Sequence, residues 1–256
     1  MPDPVVITRP LAQAHDLAAQ VRALGREAVV FPLLEISALP DDSGLRAVLA
    51  NLHSYAMVVF VSPNAIDAAF RIIDAWPAEV AIAVVGEGSR RALERHGVND
   101  ANARIFRPRD PFRSDSETLL EVLDLEILRD KTVLVVRGES GRELLTNALR
   151  GVGASVEQVA AYRRSAPLLN EVRREQLQAL LSDDSTWVVT SSEALRNLLD
   201  MVDAVAGKPG VARLQQQRMI IPHVRIAEMA RTLEFEHITL TGSGDESVIA
   251  ALQCSP

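Results

Sequence analysis

Short apolar runs alternate with amphipathic stretches along the whole chain. The first run, Val5–Ile7, is followed by apolar residues at helical spacing from Leu11 to Leu24, and this stretch stops at Gly25. A second apolar run at residues 28–31 comes next. This order of strand, helix and strand continues along the chain and predicts an α/β protein with mostly parallel sheets flanked by helices.

The pattern occurs twice. In both copies a strand ending in arginine, Arg9 or Arg137, is followed by a helical stretch, a glycine and a second apolar run. The repeated segments, given as first and second copy, are 5–9 and 134–137, 28–31 and 156–159, and 58–65 and 187–194. Two similar α/β domains are therefore predicted, with a cleft between them as a favoured place for a small-molecule site.

Two divisions into domains fit the duplication. A cut near Asp130 gives one domain per repeat. Alternatively, residues 31–39 and 159–166 cross between the domains as strands, so that the chain leaves the first domain early and returns after Ala166. The pattern alone does not choose between them.

Serines precede two of the predicted helices. Ser62 stands before Pro63, which is typical of an N-cap followed by proline at the first helical position. In the second copy, Ser191 or Ser192 takes the same role. These turns follow predicted strands, at the edge where open α/β sheets bind their ligands.

Composition and charge narrow the function. With 48% apolar and 24% charged residues the chain has the composition of a globular protein, and its net charge of −7 argues against a nucleic-acid surface. No apolar run approaches the ~20 residues that span a bilayer, and the amino end lacks the features of a signal peptide. The single cysteine, Cys254, excludes an intrachain disulfide. We expect a cytoplasmic protein that binds a small molecule, without nucleic-acid or membrane partners.

Several familiar chemistries lack their motifs. Gly86-x-Gly88 is not a dinucleotide fingerprint, because Arg91 occupies the third glycine position. A tight strand-to-helix turn is the better interpretation, and its N–H groups could still bind a carboxylate. The chain has no Walker A sequence and no G-x-S-x-G elbow, and its five histidines lack metal-ligand spacing. Neither a metal nor a nucleotide cofactor is predicted.

Four residues are candidates for ligand contact on their own merits. Arg9 and Arg137 stand at the ends of equivalent strands, where guanidinium groups suit carboxylates. His223 stands where a strand should end and a helix begin, as either a ligand contact or a structural turn residue. Tyr162 is one of two tyrosines, and it is either a packed strand residue or a functional one.

Taken together, the motifs resemble those of the uroporphyrinogen-III synthase family. They occur in the family's order over nearly the whole chain, and the ordered set is specific although each motif is weak alone. The matching segments are Ile-Thr-Arg-Pro (7–10), Phe-Val-Ser-Pro-Asn-Ala (60–65), Val-Gly-x-x-Ser (85–89), Asp-Ser-Glu-x-Leu-Leu (115–120), Arg-Gly-Glu-x-Gly-Arg-Glu (137–143), Gly-Ala followed by Ala-Tyr-Arg-Arg (153–164), and Pro-His-x-Arg-Ile-Ala (222–227).

The resemblance implies a fold and a reaction. Two α/β domains would be joined by a two-strand linker, one comprising residues 1–36 plus 166–256 and the other residues 37–165. The implied reaction closes hydroxymethylbilane, a linear tetrapyrrole with eight carboxylates, into uroporphyrinogen III with loss of water and inversion of the last pyrrole ring. No cofactor or metal is implied, and a monomer is expected.

The resemblance also implies a site. The cleft tyrosine of the family matches Tyr162, which would help the substrate hydroxyl leave. Ligand contacts, many through backbone N–H groups, fall on turns that carry Ser62, Gly86, Ser89, Thr190, Ser191, Ser192, His223 and Arg225. Ile226 departs from the threonine common in the family, which removes a hydroxyl contact there. The alternative function is a non-catalytic two-lobed binding protein or sensor.

Overall fold

The structure is a computed structural model that describes residues 3–110 and 115–254. The chain forms two compact units, residues 1–35 with 165–256 (unit 1) and residues 36–164 (unit 2). No helix within the described ranges is both long enough and apolar enough to cross a membrane.

Apart from two consecutive strands at Ala28–Val30 and Glu35–Ser37, strands and helices alternate along the described chain, with two short 3-10 turns at Leu52–Ser54 and Glu126–Leu128. In chain order they are β1 (Val5–Ile7), α1 (Leu11–Ala23), β2 (Ala28–Val30), β3 (Glu35–Ser37), α2 (Ser43–Leu49), β4 (Met57–Phe60), α3 (Pro63–Ala69), β5 (Ala81–Val84), α4 (Glu87–Arg95), β6 (Ile105–Phe106), α5 (Ser116–Leu120), β7 (Thr132–Gly138), α6 (Leu144–Gly151), β8 (Ser155–Ser165), α7 (Glu171–Ser182), β9 (Thr186–Val188), α8 (Ser192–Gln215), β10 (Arg218–Ile221), α9 (Val224–Thr232), β11 (His237–Leu240) and α10 (Asp245–Cys254).

Unit 1 is a five-stranded sheet in the order β11-β10-β9-β1-β2, and its neighbouring strands run parallel. Helices α7, α8 and α9 pack on one face around Trp187, and α1 and α10 pack on the other around Ile7. Because both faces are covered, the strands β1, β9 and β10 are mostly apolar and buried rather than alternating with polar residues, whereas the edge strand β11 is largely exposed. Helix α1 ends as predicted, since Gly25 follows it with a φ of 76°.

Unit 2 is a six-stranded sheet in the order β3-β8-β7-β4-β5-β6, and the five strands from β8 to β6 run parallel. One face carries α2, α3 and α4 around Phe60, and the other carries α5 and α6 around Val135. Successive strand residues therefore enter two different apolar clusters, as the period of two requires.

The two sheets have the same plan. The order β2-β1-β9-β10-β11 in unit 1 corresponds strand by strand to β8-β7-β4-β5-β6 in unit 2. The segments that repeat in the sequence occupy corresponding strands: β1 with β7, β2 with β8, and β9 with β4. The predicted fold class is confirmed. A boundary near Asp130 would separate β4 from β7, which pair directly.

Candidate active site

Ser62 begins helix α3 at the carboxyl end of β4. Its Oγ accepts the backbone N–H of Ala65 at 3.2 Å, and Pro63 occupies the first helical position. The predicted N-cap is confirmed. Proline is suited to this position because its missing N–H would have no helical acceptor there.

Tyr162 reaches the same edge because of an irregularity in β8. Between β7 and β8 the register shifts, so that Arg137 lies opposite Ala160 whereas Gly138 lies opposite Tyr162. The extra residue is Ala161, and both Ala161 and Tyr162 consequently join the apolar cluster around Phe60. In a regular strand two successive side chains would point to opposite faces. The bulge thus turns Tyr162 toward the face on which Ser62 lies.

The phenol of Tyr162 spans β7 to reach Ser62. Strand β7 lies between β8 and β4, and the Tyr162 hydroxyl is 3.0 Å from Ser62 Oγ. A Cβ added at Gly138 would be 3.0 Å from Tyr162 Cζ, so the space that the ring occupies exists because residue 138 has no side chain. Tyr162 is 5% exposed, with its ring packed in the core of unit 2.

Gly86 and Ser89 belong to the neighbouring turn. Gly86 is the N-cap of α4, two residues after the end of β5, and this confirms the predicted tight strand-to-helix turn. Ser89 lies inside the first turn of α4 and is 2% exposed, so its side chain faces the interior. A ligand would meet the backbone of this turn before it met the Ser89 hydroxyl. Hydrogen bonds from Arg90 hold the pKa of Glu87, in the same turn, below its usual range.

Arg137 is the penultimate residue of β7, and its side chain is 8% exposed. Its guanidinium donates to Glu143 at 2.5 Å and to Gln158 at 2.6 Å. Gln158 and Arg137 together hold the pKa of Glu143 below its ordinary value. Arg137 alternates with Gly138 along β7 and so faces the side of the sheet opposite Tyr162. A ligand anion would have to compete with Glu143 for this arginine.

A shallow depression of about 390 Å³ lies beside Arg137. It is formed by the loop that follows β7 and by the adjoining part of β8, and among its lining residues are Glu139, Ser140, Gly141 and Val159. Gly141 lies against the guanidinium, since a Cβ there would be 2.7 Å from Arg137 Nη2. The loop is therefore packed onto Arg137.

In unit 1, three hydroxyl residues follow β9. Ser191 is the N-cap of α8, and its side chain accepts the N–H of Ala194 at 3.0 Å. Of the two serines that the sequence allowed for this role, Ser191 is thus the cap, and Ser192 is the first helical residue. Thr190 and both serines are half-buried. The turn has the same capping geometry as that of Ser62 in unit 2.

Arg9 lies two residues beyond β1 and pairs with Asp245 at the start of α10. The Arg9 side chain is 15% exposed, so most of its surface is covered. As with Arg137, a carboxylate of the protein already occupies the guanidinium. Substrate contact at either arginine would exchange or share this partner.

His223 is the N-cap of α9, and its Nδ1 accepts the N–H of Arg225 at 3.3 Å. His223 is half-buried and Arg225 is exposed. Ile226 is 4% exposed and packs in the core of unit 1, which is consistent with an apolar residue at this position. Both sequence alternatives for His223 are compatible with a capping side chain at the carboxyl edge.

The structure brings Ser62, Tyr162 and the Gly86 turn to one edge of unit 2. In unit 1, the turns of Arg9, Thr190 to Ser192, and His223 share the corresponding edge. The sequence pattern did not identify a role for Gly138. It also did not identify Glu143 and Asp245, the carboxylates that pair with Arg137 and Arg9. A glycine directly after Arg137, in an otherwise bulky strand, was the available signal for Gly138.

Within residues 3–110 and 115–254, no group of three or more histidine, cysteine, aspartate or glutamate side chains is placed to hold a metal ion.

The fold and the carboxyl edge of its sheets define the class of protein to which the chain belongs. The chain is an open-sheet α/β protein, and such proteins bind ligands outside the carboxyl ends of their strands, at helix N-termini. Each unit presents helix N-termini at this edge, and the first-turn N–H groups that the capping side chains do not use are donors suited to anionic ligands.

The chain resembles known proteins over its full extent. A family model described as "Uroporphyrinogen-III synthase HemD" matches residues 15–241. A uroporphyrinogen-III synthase of Salmonella typhimurium is 31% identical over 254 residues, which cover 97% of this chain and 99% of that protein. The Escherichia coli uroporphyrinogen-III synthase is 28% identical with the same coverage.

Solved structures share the fold. A mutant uroporphyrinogen III synthase from the extremely thermophilic bacterium Thermus thermophilus superposes with a TM-score of 0.63 at 16% identity, covering 98% of this chain and 96% of the other. The uroporphyrinogen-III synthetase of Helicobacter pylori also gives 0.63, at 14% identity and 100% coverage of both chains. The chain belongs to the uroporphyrinogen-III synthase family, the cyclising enzymes of tetrapyrrole biosynthesis.

Proposed function

We propose that this enzyme converts hydroxymethylbilane to uroporphyrinogen III, and that Tyr162 assists departure of the substrate hydroxyl. Family membership over nearly the whole chain supports the reaction. The observation that carries the role of Tyr162 is its phenol, which is held at the carboxyl edge of unit 2 within 3.0 Å of Ser62. The phenol donates a hydrogen bond and then its proton to the leaving oxygen; the carbon–oxygen bond breaks, water departs, and an azafulvene cation remains beside the phenolate, which can take back the proton released when the ring closes.

The remaining task is conformational. The terminal pyrrole ring attacks through its substituted carbon, and the spiro intermediate then fragments and recloses with that ring inverted. Because the cation is reactive and closes without inversion when unguided, the enzyme has to position the chain and stabilise charge rather than supply strong acid–base catalysis.

We propose that the eight carboxylates are held by local donors. A protein with a net charge of −7 cannot attract such a substrate at long range. The proposed contacts are the turns of Ser62, Gly86 to Ser89, Thr190 to Ser192, and His223 to Arg225, mainly through backbone N–H groups at helix starts. Arg9 and Arg137 would contribute modestly, since Asp245 and Glu143 already pair with them.

We further propose that the enzyme acts as a monomer in the cytoplasm, without metal or cofactor. The single cysteine is compatible with a reducing compartment. Light scattering on the purified chain tests the monomer, because a mass near 27.9 kDa is expected and a multiple of that value would contradict it.

Product analysis tests the reaction. Freshly generated hydroxymethylbilane is incubated with and without the protein, and the type I and type III products are separated. We expect type III product to predominate only with the protein present. Type I product alone, formed at the unassisted rate, would contradict the proposal and would favour a binding protein instead.

A further inference from the structure

Ser62 forms two hydrogen bonds, one with the helix α3 that it caps and one with Tyr162 on β8. Its Oγ accepts the N–H of Ala65, which is part of the backbone of α3, at 3.2 Å. The same oxygen is 3.0 Å from the hydroxyl of Tyr162 on β8. A side chain that served only to cap the helix would need the first contact alone. The second contact gives Ser62 a means to act on Tyr162.

The direction of the second hydrogen bond decides what the phenol can do. A serine hydroxyl and a phenol each carry one proton, so one of the two donates to the other. If Tyr162 donates to Ser62, the phenol proton is occupied. If Ser62 donates to Tyr162, the phenol proton is available to a ligand. Ser62 Oγ already accepts the Ala65 N–H, and among the described residues the Tyr162 oxygen is the acceptor that the Ser62 proton reaches, so donation from Ser62 to Tyr162 satisfies both groups.

We infer that Ser62 is a positioning residue, which donates its proton to the Tyr162 oxygen and thereby leaves the phenol proton to the departing hydroxyl of the substrate. The inference rests on the proposed role of Tyr162. The resulting chain of donors runs from Ala65 N–H through Ser62 to Tyr162 and on to the leaving oxygen. Each hydroxyl in the chain accepts one hydrogen bond and donates one, so that the phenol is strengthened as a donor.

Tyr55 provides the contrast within the same unit. Its hydroxyl donates to Glu157 Oε2 at 2.6 Å, and a carboxylate can only accept. The proton of Tyr55 is therefore committed to Glu157. If the side chain at position 62 could only accept hydrogen bonds, the Tyr162 proton should likewise be committed to that side chain.

Substitutions at Ser62 distinguish its role as helix cap from its role as hydrogen-bond donor to Tyr162. Aspartate caps a helix about as well as serine but cannot donate. Ser62→Asp should therefore preserve stability, whereas Tyr162 would turn its proton toward the new carboxylate. Ser62→Thr retains both cap and donor. Ser62→Ala loses both, and Asn170→Ala is its matched control, because Asn170 is an exposed N-cap of α7 that accepts the N–H of Arg173 at 3.0 Å.

The experiment measures turnover to type III product and the carbon NMR signal of labelled tyrosine Cζ in the free enzyme. The chain has two tyrosines, so that Tyr55→Phe assigns the signals. We expect Ser62→Ala and Ser62→Asp to shift the Tyr162 signal and to lower kcat about tenfold, equivalent to one weakened transition-state hydrogen bond. Ser62→Thr should keep the wild-type Tyr162 signal and lose less kcat than Ser62→Ala or Ser62→Asp, whereas Asn170→Ala should retain both the wild-type kcat and the wild-type Tyr162 signal.

A double variant distinguishes the role of Ser62 from the role of Tyr162 itself. In the Tyr162→Phe background, Ser62→Ala should cause no further loss of kcat, because the hydroxyl that it orients is absent. Equal losses in both backgrounds, or a Tyr162 signal that does not move in Ser62→Ala, would overturn the inference alone. A fully active Tyr162→Phe variant would overturn the role of Tyr162 and the inference with it.

Discussion

Gly138 lies directly against the phenol ring of Tyr162, the residue opposite it in the neighbouring strand. A Cβ at Gly138 would approach Tyr162 Cζ to 3.0 Å and Cε2 to 3.1 Å, which is tighter than most side-chain contacts. Any other residue at position 138 would require the ring to shift. Gly138 thus allows a tyrosine on β8 to reach a serine on β4.

Gly138→Ala is expected to displace the phenol and to lower kcat by about tenfold, as for one misplaced catalytic donor. It should also destabilise the fold by about 1–3 kcal/mol, because the added methyl overpacks a buried site. The double variant with Tyr162→Phe is the control: the destabilisation should remain, since the ring remains, whereas the further loss of kcat should vanish. An unaffected kcat in Gly138→Ala would show that the position of the phenol is not critical.

Arg137 on β7 and Arg163 on β8 should differ in their effect on stability. Arg137 is buried and hydrogen-bonded to Glu143 and Gln158, so Arg137→Ala is expected to cost about 1–3 kcal/mol. Arg163 forms an exposed bidentate pair with Glu139, and Arg163→Ala should cost less than about 1 kcal/mol. Urea unfolding of both variants checks the difference, and equal losses would mean that the Arg137 network contributes little.

The raised pKa of Tyr55 predicts that the free energy of unfolding falls at alkaline pH. Burial, and then the hydrogen bond to Glu157, raises the pKa of Tyr55 from 10.0 to about 12. The folded protein therefore holds this proton more tightly than the unfolded chain does. The resulting stabilisation is complete below pH 10.0 and is lost as the pH rises toward about 12. Over that range, the wild type should lose more unfolding free energy than Tyr55→Phe; parallel pH profiles would refute the assignment.

Chelation is expected to leave activity unchanged. The described residues place no cluster of ligands for a metal, and the family resemblance implies a reaction that needs none. The measurement is the rate of type III product formation after exhaustive dialysis against chelator, with no nucleotide added. Loss of this rate, restored by one metal, would contradict the prediction.

Much of the fold follows from the sequence because its signals are local. The glycine after α1, the proline at the start of α3 and the apolar strands each predict their own element from neighbouring residues alone. The duplication predicted two copies of one α/β unit, and the repeated segments do occupy corresponding strands of two sheets with the same order.

The arrangement of the site depends on distant residues and could not be read in this way. The bulge at Ala161 breaks the alternation that sequence reasoning assumes, and it decides which face Tyr162 joins. Arg9 and Arg137 illustrate the same limit. Strand position predicted two available guanidinium groups, but Asp245 lies 236 positions from Arg9 in the chain, and no local pattern connects the two residues.

The rate of type III product formation by Tyr162→Phe tests the central claim most directly. The substitution removes one hydroxyl and keeps the ring, so that the fold should be retained while the donor to the leaving oxygen is lost. We predict a decrease of more than about tenfold in kcat, corresponding to at least about 1.4 kcal/mol of transition-state stabilisation. Unchanged turnover in a folded Tyr162→Phe variant would contradict the claim and would reduce Tyr162 to a packing residue.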